Sequence, residues 1–205
     1  MAQSQYEPPL SRVPPYLGLA AVVASFGGVL FAMLAAPWFS VFFDALSDLG
    51  ARGEATAPLF NGALLVGGAL GAGFVASILT DVEHPIRAAG GVFALLAMGF
   101  MALVGVFPLP DPLHGLVAVP FFVCLSLAVL LWGGGDYAAG RELRGLVLVL
   151  AGVLHLVSWA WWAIFPWFPP GIAIPELVGS AAFALWGGWL AVDELRGHHV
   201  DRDQL

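Results

Sequence analysis

Six long apolar stretches decide what this chain of 205 residues can fold into. Crossing the roughly 30 Å hydrocarbon core of a bilayer takes about 20 apolar residues in an α-helix. No stretch carries an ionisable residue at its centre except His155 in the fifth, and the sixth is the shortest. The sequence therefore predicts an all-α bundle of six transmembrane spans. They run Tyr16–Ala36, Pro58–Thr80, Ala88–Phe107, Gly115–Gly134, Gly145–Phe165 and Leu177–Val192.

The composition supports a membrane domain. The chain is 60% hydrophobic and 10% charged, whereas soluble domains average about 45–50% and about 25%. We expect one membrane domain over 16–192, with a tail at 1–15 and another at 193–205. The net charge of −7 argues against nucleic-acid binding. Cys124 is the only cysteine, which excludes an intramolecular disulfide and a cysteine-based metal cluster.

The arginines predict the orientation. A cytoplasmic N-terminus leaves only Arg52 outside, which satisfies the positive-inside rule for short loops. Both tails then lie in the cytoplasm, and we expect the spans to cross the plasma membrane. The inner loops Asp81–Arg87 and Asp136–Arg144 are interpreted as solvated connectors. The arginines on the cytoplasmic side are Arg12, Arg87, Arg141, Arg144, Arg196 and Arg202.

The segment after the first span has a helical pattern of its own. Aromatic and apolar residues alternate with polar ones at helical spacing, which predicts a short amphipathic helix over about 38–49 at the outer interface. Pro37 marks its beginning and Gly50 its end. Its apolar face is Phe39, Phe42, Phe43 and Leu46, and its polar face is Ser40, Asp44, Ser47 and Asp48.

Polar residues gather on the outer side of this topology. Asn61 lies one turn inside the second span and should be paired, since burial of an unpaired amide is costly. His114 begins the fourth span, and Glu176 precedes the sixth. With Ser47 and Asp48 they form the predicted ligand-binding set.

Two kinds of chemistry suit this set. A carboxylate can orient an imidazole and raise its basicity, so Asp48 and His114 are the candidate catalytic pair. Alternatively, Asp48, Asp111, His114 and Glu176 would offer an oxygen-rich set to Mg, Mn or Ca rather than zinc. We predict no bound metal and leave any cofactor unassigned.

His155 is a separate candidate within the fifth span. Intramembrane ionisable residues usually face the bundle or a cavity. A cavity-lining role in binding a ligand or proton is one reading of His155. A neutral histidine hydrogen-bonded to a neighbouring helix is the other.

Several short motifs resemble a known family. They are Ser47-Asp48-Leu49-Gly50, Pro58-Leu59-Phe60-Asn61-Gly62 and Gly105-Val106-Phe107-Pro108 with His114 downstream. Across the first four spans the chain resembles the domain of unknown function 998 family. The resemblance implies a small prokaryotic membrane protein of about six helices, often archaeal. It supports Asp48, Asn61 and His114 as a set and implies no reaction.

Three functions remain open from the sequence. The leading hypothesis is binding of a membrane lipid or small amphiphile at the outer polar site, bordered by Trp38, Phe42 and Phe43. The second is an enzyme acting on a lipid or lipid-linked substrate through Asp48 and His114 or through a metal. The third is an assembly subunit, alone as a homo-oligomer or with a membrane-protein partner, whose polar residues only join helices.

Overall fold

The computed structural model describes residues 13–200, with the side chains of 14–196. This part of the chain is helical and contains no strand. A π-helical segment, Val23–Gly27, joins the first two α-helices into one continuous rod, and a 3-10 helix, Leu46–Gly50, follows. The α-helices are α1 Val13–Val22, α2 Gly28–Ala35, α3 Ala57–Leu79, α4 Pro85–Val106, α5 His114–Ala138, α6 Glu142–Ile164 and α7 Ala173–Val200.

Five membrane spans are evident in the described residues. The rod of α1 and α2 is long and apolar enough to cross a bilayer, and so are α3, α4, α5 and α6. α7 does not meet the same measure of length and hydropathy. Its first turn contains Glu176, and its last turns contain Asp193, Glu194 and Arg196. α7 therefore extends past the predicted boundary at Val192, and most of the predicted C-terminal tail is helical.

The helices pack in chain order and close into a ring. α3, α4, α5 and α6 each contact the helix before and the helix after, and α7 packs against both α6 and α1. Small residues allow the backbones to approach. A Cβ added at Gly68 of α3 would lie 2.7 Å from the Ala102 nitrogen of α4. Inside the ring, Phe74, Met98, Leu125 and Trp186 are almost fully buried.

The outer interfacial helix predicted over 38–49 is wrong. Turns occupy 37–44, and only Leu46–Gly50 forms a short 3-10 helix. The hydrogen bonds that an α-helix would need are made elsewhere. The Leu46 N–H donates to Glu176, and the Ala45 N–H donates to Asp48.

The carbonyl groups of the same segment are diverted as well. The Phe42 carbonyl, which would accept the Leu46 N–H in an α-helix, accepts the Gly171 N–H (N···O 3.0 Å). The Asp44 carbonyl accepts the Ala173 N–H at the same distance. Side-chain carboxylates and a distant loop thus compete successfully with the local helix.

The interpretation of Asp136–Arg144 as a solvated connector holds for residues 137–143, which are exposed, and is wrong for its two ends. Asp136 is completely buried at the end of α5, and Arg144 is buried in α6. The guanidinium of Arg144 donates to both carboxylate oxygens, with Nε–Oδ2 2.6 Å and a second nitrogen 2.7 Å from Oδ1. Arg144 also pairs with Asp193 of α7. This network joins α5, α6 and α7 at the inner end of the bundle.

Candidate functional site

The 3-10 helix Leu46–Gly50 covers the end of the bundle that the arginine placement predicts to be outer, and we name it the outer cap. Leu46 and Leu49 are buried beneath it. The Thr56 hydroxyl donates to the Leu49 carbonyl at 2.7 Å, and the Asn61 amide donates to the Gly50 carbonyl at 2.8 Å. Glu176 holds the start of the cap, because its Oε2 accepts the Leu46 N–H at 2.5 Å.

A small cavity lies beneath the outer cap. Its volume is about 40 Å³, which is room for about three water molecules at roughly 10–15 Å³ each. Three polar residues from three different elements line it, namely Ser47, His114 and Glu176. The remaining wall is mostly apolar and comprises Val29, Leu46, Phe60, Leu64, Val104, Ala118, Phe121 and Phe122, with Ser180 beside Glu176.

A second, smaller cavity continues towards the middle of the bundle. It measures about 20 Å³ and shares Val29, Leu64, Phe121 and Ser180 with the first. Beyond them it reaches Ser25 of the π-helical segment. The ionisable side chains Glu176 and His114 line the first cavity and not the second.

One hydrogen bond fixes the orientation of the His114 ring. Nδ1 lies 2.8 Å from the Phe107 carbonyl oxygen. Because a carbonyl can only accept, Nδ1 carries the proton in this bond and Nε2 of the neutral ring keeps its lone pair. His114 thus offers an acceptor to the site, and it is buried.

Glu176 is the other ionisable group in the cavity wall. It lies in the first turn of α7, before the predicted sixth span, and is 5% exposed. Burial raises the pKa of Glu176 to about 8; the bond from Leu46 opposes this shift, and the nearby charge of Asp48 adds to it. At neutral pH the carboxyl is therefore mostly protonated.

The predicted pair of Asp48 and His114 is not joined by a hydrogen bond within the described residues. Asp48 Oδ2 instead accepts the Ala45 N–H at 2.7 Å and so stabilises the start of the cap. Asp111 is likewise engaged elsewhere, with Arg52 at 3.0 Å. Among residues 14–196 no group of three side chains is arranged to hold a metal ion.

Asn61 and His155 lie outside the cavity wall. Asn61 holds the C-terminal end of the cap. The Ser126 hydroxyl donates to the Phe122 carbonyl, so His155 Nδ1 donates to Ser126 (3.0 Å) and Trp159 Nε1 donates to His155 Nε2 (2.9 Å). Both ring nitrogens of His155 are satisfied, as expected for a neutral histidine that joins helices.

Sequence comparison identifies the family of this chain. The family described as "Protein of unknown function (DUF998)" matches residues 19–193. The chain belongs to the DUF998 family. The resemblance inferred from the motifs in the first four spans is thereby confirmed, and the match also covers the second half. No curated protein and no solved structure matches this DUF998 protein.

The sequence could not reveal all the residues that shape this site of the DUF998 protein. Ser180 lines both cavities, and its hydroxyl donates to the Glu176 carbonyl at 2.9 Å. Phe121 lines both cavities as well. The spacing of Glu176 and Ser180, one helical turn apart, was the available signal for Ser180, whereas Phe121 is one apolar residue among many in its span.

Proposed function

We propose that this DUF998 membrane protein binds the small polar end of an amphiphile, a hydroxyl or an amine, in the cavity beneath the outer cap. The observation that carries the proposal is the meeting of Ser47, His114 and Glu176 at one end of an otherwise apolar cavity. Ligand sites are typically apolar with a few convergent polar groups. A volume of about 40 Å³ fits a few heavy atoms rather than a phospholipid head group.

The available groups favour a ligand that donates hydrogen bonds. His114 Nε2 can only accept, whereas the Ser47 hydroxyl and the protonated Glu176 carboxyl can donate or accept. An ammonium group entering the cavity would ionise Glu176 and release its proton to water, since an opposite charge favours the carboxylate. The apolar part of the amphiphile would follow the wall formed by Val29 and Phe121.

Of the predicted ligand-binding set, Ser47, His114 and Glu176 line the cavity, whereas Asp48 and Asn61 do not. Asp48 and Asn61 hold the cap through hydrogen bonds to the main chain, so their role in this proposal is to position Ser47. Enzymatic use of Asp48 with His114 is disfavoured because each side chain is engaged with a different backbone group.

The same proposal includes the topology. α7 contains 28 residues, about 42 Å of helix at about 1.5 Å per residue, and it closes the ring between α6 and α1. We take its predicted apolar stretch, Leu177–Val192, as the sixth span. Arginine placement then puts the cap outside the plasma membrane and both termini in the cytoplasm.

Native mass spectrometry of the full-length protein in a non-ionic detergent tests the binding. We would titrate dodecylamine, 1-dodecanol and dodecanoic acid, which share one chain and differ in the polar end. The amine and the alcohol should bind, and the acid should bind more weakly because its carboxylate cannot donate a hydrogen bond to His114 Nε2. Glu176→Gln should weaken amine binding about tenfold or more, which is the change in affinity expected when one charge-assisted hydrogen bond is lost.

Glu54→Gln is the matched control, because Glu54 lies on the same outer side and does not line the cavity. It should leave all three affinities unchanged. Equal binding of amine and acid, or equal losses in Glu176→Gln and Glu54→Gln, would contradict the proposed site.

A further inference from the structure

Three guanidinium groups converge on one buried carboxylate at the inner end of the bundle. Arg144 binds both oxygens of Asp136. The nearest nitrogens of Arg141 and Arg87 lie 3.6 and 3.7 Å from the same Oδ1. These two distances allow charge attraction but are too long for hydrogen bonds. Arg87 and Arg141 therefore attract Asp136 by charge, but their guanidinium N–H groups form no hydrogen bond with it.

The cluster also contains more positive than negative charge among its ion pairs. Asp193 is the second carboxylate in contact, and it pairs with Arg144. Glu83 attracts Arg87 from an exposed position without forming an ion pair within 4 Å. Three guanidinium groups thus share two directly paired carboxylates.

Two buried polar atoms beside the cluster lack a hydrogen-bond partner within the described residues. They are Arg87 Nε and His84 Nδ1. Gly135 of α5 leaves space for both side chains, because a Cβ there would lie 2.6 Å from Arg87 Cγ and 3.3 Å from His84 Nδ1. Leaving such groups unsatisfied is costly, and an incoming oxygen-rich anion would remove that cost.

We propose that Arg87 and Arg141, supported by Arg144, bind the phosphate of an anionic lipid in the adjacent leaflet. Guanidinium groups bind phosphate oxygens through paired N–H donors. The lipid source is favoured over a free anion by the exposed apolar side chains beside these arginines, Ile86 and Leu143. Both lie in the first turns of membrane helices, at the depth where lipid chains begin.

The test uses the intact protein in non-ionic detergent at 0.1 M salt. Native mass spectrometry would compare adducts of dioleoylphosphatidylglycerol with those of dioleoylphosphatidylcholine. The anionic lipid should bind more tightly, and Arg141→Gln should weaken its binding about fivefold, the worth of one arginine near a charged lipid surface. Arg141 is 54% exposed, so the protein should remain folded without it.

Arg52→Gln provides the matched control. Arg52 is 64% exposed and makes one ion pair, with Asp111, at the opposite end of the bundle. It should leave phosphatidylglycerol binding unchanged. Equal affinity for the two lipids, or equal losses in the two variants, would overturn the proposal.

Two further measurements distinguish lipid binding from binding of free phosphate, and loss of a specific contact from loss of folding. Inorganic phosphate at 10 mM should compete only weakly with phosphatidylglycerol. Full competition would assign the site to a free anion and would overturn the proposal of a lipid ligand. Arg87→Lys keeps the charge and removes Nε, so it should lose selectivity between the lipids while retaining the melting temperature. Unchanged selectivity in Arg87→Lys would contradict a specific phosphate contact.

Discussion

The carboxyl group of Glu176 accepts the backbone N–H of Leu46 at 2.5 Å, across 130 positions of sequence. This bond joins the first turn of α7 to the outer cap. It also places a buried ionisable group in the wall of the cavity beneath the outer cap. Closure of the cap and the chemistry of the cavity therefore depend on the same side chain.

The stability of the protein should depend on pH through Glu176. Its pKa is raised from 4.5 to about 8 by burial, so the folded state binds the proton more tightly than the unfolded chain. The stabilisation is complete below about pH 4.5 and is lost as the pH rises through about 8. Glu176→Gln keeps an acceptor for Leu46 and removes the titration. Thermal melting from pH 5 to 9 should show the advantage of wild type over Glu176→Gln shrinking with pH, whereas parallel curves would contradict a raised pKa.

The buried pair of Asp136 and Arg144 should be essential for stability. Asp136→Asn removes the buried counter-charge of Arg144 and leaves it only the partly exposed Asp193, and breaking such a buried pair costs about 3–5 kcal/mol. Removal of the exposed pair through Arg52→Gln should cost at most about 1 kcal/mol. Chemical denaturation in detergent micelles would compare the two variants. Similar small losses would show that the inner network is not a structural element.

A methyl group at Gly179 should disturb the packing of α6 against α7. A Cβ there would lie 2.5 Å from His155 Nε2, which accepts a hydrogen bond from Trp159. Gly188 lies in the same helix with open space around it. Gly179→Ala should lower the melting temperature and shift tryptophan fluorescence, whereas Gly188→Ala should be neutral or stabilising by up to about 1 kcal/mol. Equal effects would place His155 away from Gly179.

Cysteine labelling should confirm the sidedness of the loops. Ala55 lies in the exposed outer loop, and Ala139 lies in the exposed turn between α5 and α6. A membrane-impermeant maleimide should label Ala55→Cys in intact cells and Ala139→Cys only after permeabilisation. The native Cys124 is buried and is replaced by serine in both. The reverse pattern would invert the topology.

The membrane helices could be predicted from the sequence because hydropathy responds only to composition along the chain. The first five predicted spans coincide with helices that can cross a bilayer. The interfacial helix at 38–49 could not be judged in the same way, because the hydrogen bonds of this segment are made with Asp48, Glu176 and the 171–173 segment. A local sequence pattern does not reveal hydrogen-bond partners that lie far away along the chain.

The candidate site was predictable in part for a similar reason. Topology placed Ser47, His114 and Glu176 at one depth, and the fold brings these three to one cavity. The depth of a residue in the membrane does not determine its position around the ring of helices or its hydrogen-bond partner. Asp48 and Asn61 were therefore predicted to bind the ligand, although their side chains bind the main chain. Asp136 was assigned to solvent because its partner Arg144 lies in the next helix, beyond the turn, and is itself held by Asp193 of α7.

Amide hydrogen exchange of the outer cap tests most directly whether Glu176 holds the cap over the cavity. Glu176→Met removes the acceptor of the Leu46 N–H and keeps a side chain of similar length. Exchange in peptides covering residues 44–50 should become about tenfold faster in this variant, in line with the loss of one buried hydrogen bond. Glu54→Met, which changes an outer carboxylate with no side-chain bond to the cap, should exchange like wild type. Unchanged exchange in Glu176→Met would contradict the role of Glu176 as the residue that closes the cap.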